Sequence, residues 1–167
     1  VLNGAVWGQC DSIYAAFAVW AVYFAIERRG VLSMVLMALS FAFKLQAVFV
    51  MPVFLIFIFA GRIKWRQLPV FPLTYVVCVL PAVIAGRPFL DTLTLYFSQT
   101  GSIGSGLNYN SSSVFAIIRN VENTRLFSAL GIAAAFLFLA LVYFWMYTRR
   151  DEITSRTLLA LTVLICI

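Results

Sequence analysis

Residues 31–61 read VLSMVLMALSFAFKLQAVFVMPVFLIFIFAG, about thirty residues with a single charge, Lys44, near the middle. Two readings compete. If the stretch crosses a membrane once, Lys44 lies near the bilayer centre, where a cation costs about 2.5–3.5 kcal/mol on insertion scales. If it crosses twice and turns at FKLQ, Lys44 lies at an interface. The flanking charges discriminate. ERRG precedes the stretch and GRIKWRQ closes it. A single crossing puts these clusters on opposite faces, and a double crossing puts them on one. The excess of Lys and Arg in cytoplasmic loops favours the double crossing. Its cost is length. Each apolar run has about 13–14 residues, roughly 20 Å at the helical rise against a hydrocarbon core of about 30 Å. Either the helices extend past their apolar cores, or the FKLQ turn sits inside the membrane profile, shielded by protein.

The pattern extends outward in both directions. A first apolar run, Ser12 to Ile26, ends at ERRG; a fourth, Val70 to Gly86, ends at Arg87; a fifth, Leu126 to Tyr147, ends at TRRDEITSR. A sixth begins at Thr157. The expected fold is all-α: one polytopic transmembrane helix bundle over residues 1–167, with about six spans, the last truncated. Of the 167 residues, 63% are hydrophobic and 11% charged, with a mean hydropathy of +1.00. Soluble domains carry about 25% charged residues, so this chain cannot cover a water-facing surface. The net charge of +6 then records topology and attraction to anionic lipid rather than nucleic-acid binding. Val1 in place of Met, and the short apolar run TLLALTVLICI at the other end, lead to the expectation that this is a fragment of a larger bundle.

Several chemistries are excluded within this stretch. The chain has no histidine, which removes Ser-His-Asp and Cys-His nucleophile systems and any His-based metal site. Cys10, Cys78 and Cys166 are scattered, without a CxxC pair, and read as small apolar residues. The glycines of GSIGSG lack the spacing of a phosphate-cradling nucleotide loop.

In the double-crossing topology three polar segments emerge together on the non-cytoplasmic side: WGQCDSIY (7–14), FKLQ (43–46) and the stretch 91–113. Asp11 and Lys44 are the ionisable residues set most closely in apolar sequence. As a functional pair, Lys44 binds a phosphate and Asp11 accepts a hydroxyl proton. As a structural pair, they pin helices together or snorkel to the interface. Gln9 and Gln46 suit sugar hydroxyls, or simply hydrogen bonds between helices. Trp7, Tyr14 and Trp65 suit interfacial aromatic belts, with sugar stacking as the alternative for Trp7. Leu90, Leu93 and Phe97 share one helical face, which predicts a short interfacial amphipathic helix. Ser111–Ser113 are plausible caps of a following helix, and Asn108 and Asn110 either line a polar pocket or belong to a plain loop.

WGQCDSIY opening a span, with FAFKLQAVFVMPVF about thirty residues later, resembles the multi-spanning glycosyltransferases of the GT-C superfamily. It looks most like the mannosyltransferase-like branch related to the second GPI mannosyltransferase. Relatives that extend lipid-linked oligosaccharides have a contiguous Lys-Gln, whereas here Leu45 separates Lys44 from Gln46. The resemblance implies a polyprenyl- or dolichyl-phosphate sugar as donor, an acceptor entering from the outer face and inversion by direct displacement. It implies Lys44 on the departing phosphate, Asp11 as a second acidic residue of the site, and Gln9 and Gln46 on sugar or acceptor hydroxyls; Trp7, Asn108 and Asn110 join the candidate substrate contacts from the reading of the residues themselves. The principal base would lie in an outer loop upstream. No cofactor is implied beyond the lipid-linked sugar, and a divalent metal is left open. The expected surroundings are membrane lipid, in a plasma membrane if bacterial or the endoplasmic reticulum if eukaryotic. A transporter or lipid-linked-sugar flippase, gated by Asp11 and Lys44, is the alternative; it calls for an internal repeat, and none is evident.

Overall fold

The computed structural model describes residues 11–95, 124–149 and 152–166, and among these every regular element is helical. In chain order they are α1 (Asp11–Ile26), α2 (Gly30–Phe43), a 3₁₀ segment (Leu45–Val50), α3 (Met51–Phe59), a 3₁₀ turn (Trp65–Gln67), α4 (Val70–Ile84), α5 (Phe89–Leu93), α6 (Thr124–Thr148) and α7 (Ser155–Cys166).

The first two helices form a tight antiparallel hairpin. Small residues let their backbones approach: Ala18, Ala21 and Ala25 on α1, and Gly30 and Ala38 on α2, are all buried. Two serines one heptad apart then bond across the seam. Ser33 Oγ donates to the Ala21 carbonyl and Ser40 Oγ to the Tyr14 carbonyl, each at 2.7 Å. Both hydroxyls are shielded from solvent, so leaving them unpaired would be costly. Interhelical bonds of this kind contribute about 0.6 kcal/mol each in bilayers. The turn between the helices places Arg28 in the left-handed region at φ 60° and is closed by a bond from the Arg29 N–H to the Phe24 carbonyl at 2.8 Å.

At Lys44 the backbone switches to φ −155°, ψ 131°, an extended conformation that no α-helix can continue. The 3₁₀ segment follows, and Pro52 lies in the first turn of α3, where its missing N–H has no intrahelical acceptor to disappoint. Its carbonyl receives the Tyr143 hydroxyl of α6 at 2.8 Å. The chain then runs back beside α1, α6 and α7. Just past α3, Arg62 donates to the Ile26 carbonyl at 3.2 Å and to Ser155 Oγ at 3.1 Å. Residues 31–60 therefore double back at Lys44. The turns after α1, after α3 and before α7 meet at one end of the molecule, joined by Arg62.

The short returning leg is accommodated because most of α3 is buried, with Leu55 and Phe59 on its outer side. Val53, Ile56 and Phe57 have no exposed surface, and Phe54 and Ile58 are nearly covered. They share one core with Ala21, Val22 and Ala25 of α1, Met34 and Met37 of α2, Val142 and Met146 of α6, and Leu158 and Leu161 of α7. A helix sheathed by its neighbours need not match the bilayer thickness alone. On the other flank, Phe41 of α2 packs on Phe71 and Tyr75 of α4 at 5.7 and 5.3 Å between ring centroids. α5 folds back onto α4, where the Tyr75 hydroxyl donates to the Leu93 carbonyl at 3.5 Å.

Two helices among the described residues are long and apolar enough to cross a membrane, Trp65–Ile84 with 20 residues and Leu126–Thr148 with 23. The rest are shorter than the expected six spans would require. Outward surfaces are strongly apolar; Ile84 is 84% exposed, Phe136 68% and Leu73 66%. The short helix expected around Leu90 and Leu93 is present as α5, with Leu90 outward and Leu93 half-buried. Phe97 and Ser111–Ser113 lie outside the described residues.

Gly30 touches the side chain of Gln67, whose Oε1 accepts the Lys64 N–H at 2.9 Å. A methyl group at position 30 would overlap that oxygen. Gly30→Ala should lower stability by about 1 kcal/mol through loss of this cap, a magnitude typical of helix caps. In a Gln67→Ala background the same change should be neutral or stabilising, because Ala is the better helix former. Thermal unfolding of the four variants in detergent measures the cycle.

Candidate functional site

The antiparallel register that pairs Tyr14 with Ser40 brings Asp11 opposite Lys44. Asp11 opens α1, and Lys44 is the extended residue between α2 and the returning leg. Their side chains form an ion pair, with the ammonium nitrogen on Asp11 Oδ1. The Lys44 side chain is 29% exposed and that of Asp11 45%. The pair thus lies at the mouth of the hairpin, within reach of solvent. Partial exposure limits its worth to about 1 kcal/mol. The ring of Tyr14, one turn along α1, lies 5.6 Å from the Lys44 ammonium, close enough for a cation–π contact. Phe17 and Phe43 stack beside it at 5.7 Å. The result is a cation held by a carboxylate and an aromatic face, with one side still accessible.

Gln46 follows two residues after Lys44 and is exposed at the same end. Asp91, on α5, is also exposed. Trp7, Gln9, Asn108 and Asn110 lie outside the described residues. No group of three or more Asp, Glu, Cys or His that could hold a metal occurs among the described residues.

Tyr14 was expected in an aromatic belt; here its carbonyl fixes the hairpin register and its ring faces Lys44. The signal was its spacing of three from Asp11, which puts both on one helical face. Ser40 was missed because a serine in an apolar run gives no sign of its partner. An apolar groove of about 610 Å³ starts at Tyr14 and follows α1 past Ala18 and Val22 to Ile26, with Leu159 and Val163 of α7 as its other wall. From Tyr14 to Ile26 it extends roughly 18 Å along the helix axis.

The family model described as Glycosyltransferase family 87 matches residues 1–167. No curated protein matches, and no solved structure matches.

If Asp11 and Lys44 interact as their geometry indicates, a double-mutant cycle of Asp11→Asn and Lys44→Gln should give a coupling of about 0.5–1 kcal/mol in unfolding free energy. The coupling should shrink as salt is raised. Additive effects would leave the contact without energetic weight.

Proposed function

The chain belongs to glycosyltransferase family 87, a family of membrane glycosyltransferases, and from that premise we propose that it moves a sugar, mannosyl-like, from a polyprenyl- or dolichyl-phosphate carrier to an acceptor on the non-cytoplasmic face. The observation that carries the reading is Lys44, paired with Asp11 and faced by Tyr14 at the head of a long apolar groove. A lipid phosphate needs a cation for its head and an apolar path for its tail, and this arrangement offers both in continuity. Mannose is the sugar favoured by the resemblance of WGQCDSIY and FAFKLQAVFVMPVF to the GPI mannosyltransferase-like branch. The family match lends the transporter alternative no support.

In the proposed reaction the acceptor hydroxyl attacks the anomeric carbon. A bond forms between that carbon and the acceptor oxygen as the bond to the phosphate oxygen breaks. The hydroxyl proton passes to a carboxylate, and the lipid phosphate departs. Charge accumulates on the phosphate as its bond to the sugar lengthens, so a fixed cation stabilises the transition state more than the ground state. Lys44 has that role. Asp11 holds Lys44 in place, its Oδ1 being occupied by the ammonium; the principal base would come from an upstream outer loop. Gln46 reaches for sugar or acceptor hydroxyls, and Gln9, Trp7, Asn108 and Asn110 complete the substrate contacts. Residues 1–167 contribute to a polytopic GT-C-like bundle in which α1, α2 and the returning leg cross in company with the two long helices.

Lys44→Ala in the intact protein should abolish transfer from polyprenyl-phosphate mannose while membrane insertion remains normal. Asp11→Asn should reduce kcat by a smaller factor. Radiolabelled transfer in reconstituted vesicles measures both, and full activity of Lys44→Ala would remove that residue from the site. For the topology, single cysteines at Arg28, Lys64 and Arg149 should react with a membrane-impermeant reagent from one side and a cysteine at Gln46 from the other. Labelling of Arg28 and Lys64 from opposite sides would exclude the double crossing.

A further inference from the structure

At the end of the molecule opposite Lys44, the turn after α3 shapes an open surface cavity of about 500 Å³ lined by Ile58, Gly61, Ile63, Lys64, Trp65 and Arg66. We propose that this cavity binds the headgroup of an anionic glycerophospholipid, independently of the sugar-transfer site. Its shape comes from Gly61, which takes φ 67°, a conformation that costs glycine little and other residues more. The floor is apolar, with Ile63 1% and Ile58 7% exposed. The rim is basic: Lys64 and Arg66 are exposed. The ion pairs formed among the described residues join Lys44 to Asp11 and Arg149 to Glu152, so no described carboxylate neutralises either rim cation. Arg62 is engaged elsewhere, bonded to the Ile26 carbonyl and Ser155 Oγ, and braces the turn from behind.

The third wall names the ligand as a lipid. Trp65 is 64% exposed and is the first residue of a 20-residue helix of membrane-crossing length. An exposed Trp at that position belongs at headgroup level. Beyond it, Leu73, Val77, Leu80 and Ile84 are all exposed and recur at helical spacing along α4. They form an apolar track for an acyl chain that leads away from the cavity. A phosphodiester at the rim would meet the Arg66 guanidinium fork and the Lys64 ammonium, with the glycerol esters at the level of the Trp65 indole. Two cations for one headgroup favour a net anionic lipid over a zwitterionic one.

The test uses the full-length protein purified in detergent and native mass spectrometry with phosphatidylglycerol and phosphatidylcholine as probes. Phosphatidylglycerol should be retained in preference. Each cation near an anionic lipid contributes about a fivefold gain in affinity. Lys64→Gln with Arg66→Gln should therefore weaken phosphatidylglycerol retention roughly thirtyfold. Arg28→Gln with Arg29→Gln, at the same end but outside the cavity, should change it by less than about threefold if the cavity and not the diffuse field of the basic face binds the lipid. Equal losses in the two double variants, or retention unchanged by Lys64→Gln with Arg66→Gln, would overturn the proposal. So would displacement of the lipid by inorganic phosphate at matched ionic strength, which would mark a free-phosphate site. Helix content by circular dichroism confirms that each variant is folded. Sugar transfer is assayed separately, so failure of the donor reading leaves this outcome unaffected.

Discussion

An ammonium cannot rest unpaired between two apolar runs, and the arrangement around Lys44 follows from that constraint. The chain meets it in two ways at once. The helix stops at Lys44, whose extended backbone turns the chain at the rim of the bundle instead of carrying the cation through its middle. The hairpin register then delivers Asp11 to the same point. Reversal and neutralisation depend on each other. Without the reversal, Lys44 would lie near the centre of a single long helix. Without Asp11, the hairpin mouth would hold an isolated charge.

The reversal sets what the rest of the core must do. A leg of six residues in 3₁₀ geometry and nine in α3 is roughly 25 Å long, short of a bilayer. One face of it is buried against α1, α6 and α7, while Phe49, Leu55 and Phe59 remain exposed. α3 is apolar on both sides: Val53, Phe54, Ile56, Phe57 and Ile58 are covered, and Leu55 and Phe59 face outward. An amphipathic stripe would have been a liability there. Arg62 then ties the end of this interior leg to the turns before α2 and before α7. The central helix is thereby held at both ends by polar contacts that its own apolar sequence could not make.

How much of this could be read from residues alone depends on whether the signal was local. The turn at FKLQ was legible because a charge interrupts two apolar runs and basic clusters flank them. The all-helical class followed from composition, and the short helix at Leu90 and Leu93 from period. The Asp11–Lys44 contact was legible only as one of several pairings, because thirty-three intervening residues leave the register open. That register is set by Ser33 and Ser40 reaching backbone carbonyls of α1. Carbonyl acceptors exist at every position, so the sequence does not say which are used. The contact of Tyr14 with Lys44 was not legible for the same reason, since an aromatic residue near a span end looks alike whether it faces lipid or a cation. Of the six expected spans, two stand among the described residues as helices of membrane-crossing length, because hydropathy registers apolar residues without saying how long the helix that carries them will be.

The ion pair also bears on how a phosphate could be stabilised without being trapped. A lipid phosphodiester carries one negative charge, as Asp11 does. Exchanging the carboxylate for the donor phosphate on Lys44 leaves the number of compensated charges unchanged, so the resting pair and the bound complex lie close in electrostatic energy. When the sugar departs, the phosphate gains a second negative charge that the carboxylate never carried. On the proposed reading, Lys44 would then interact more strongly with the transition state than with either ground state, and that difference is what accelerates a reaction. A cation left unpaired in the resting enzyme would bind donor more tightly, but much of the gain would go to ground-state affinity. In the proposed reaction, Asp11, by occupying Lys44 beforehand, would reserve its field for the charge that develops as the glycosidic bond breaks.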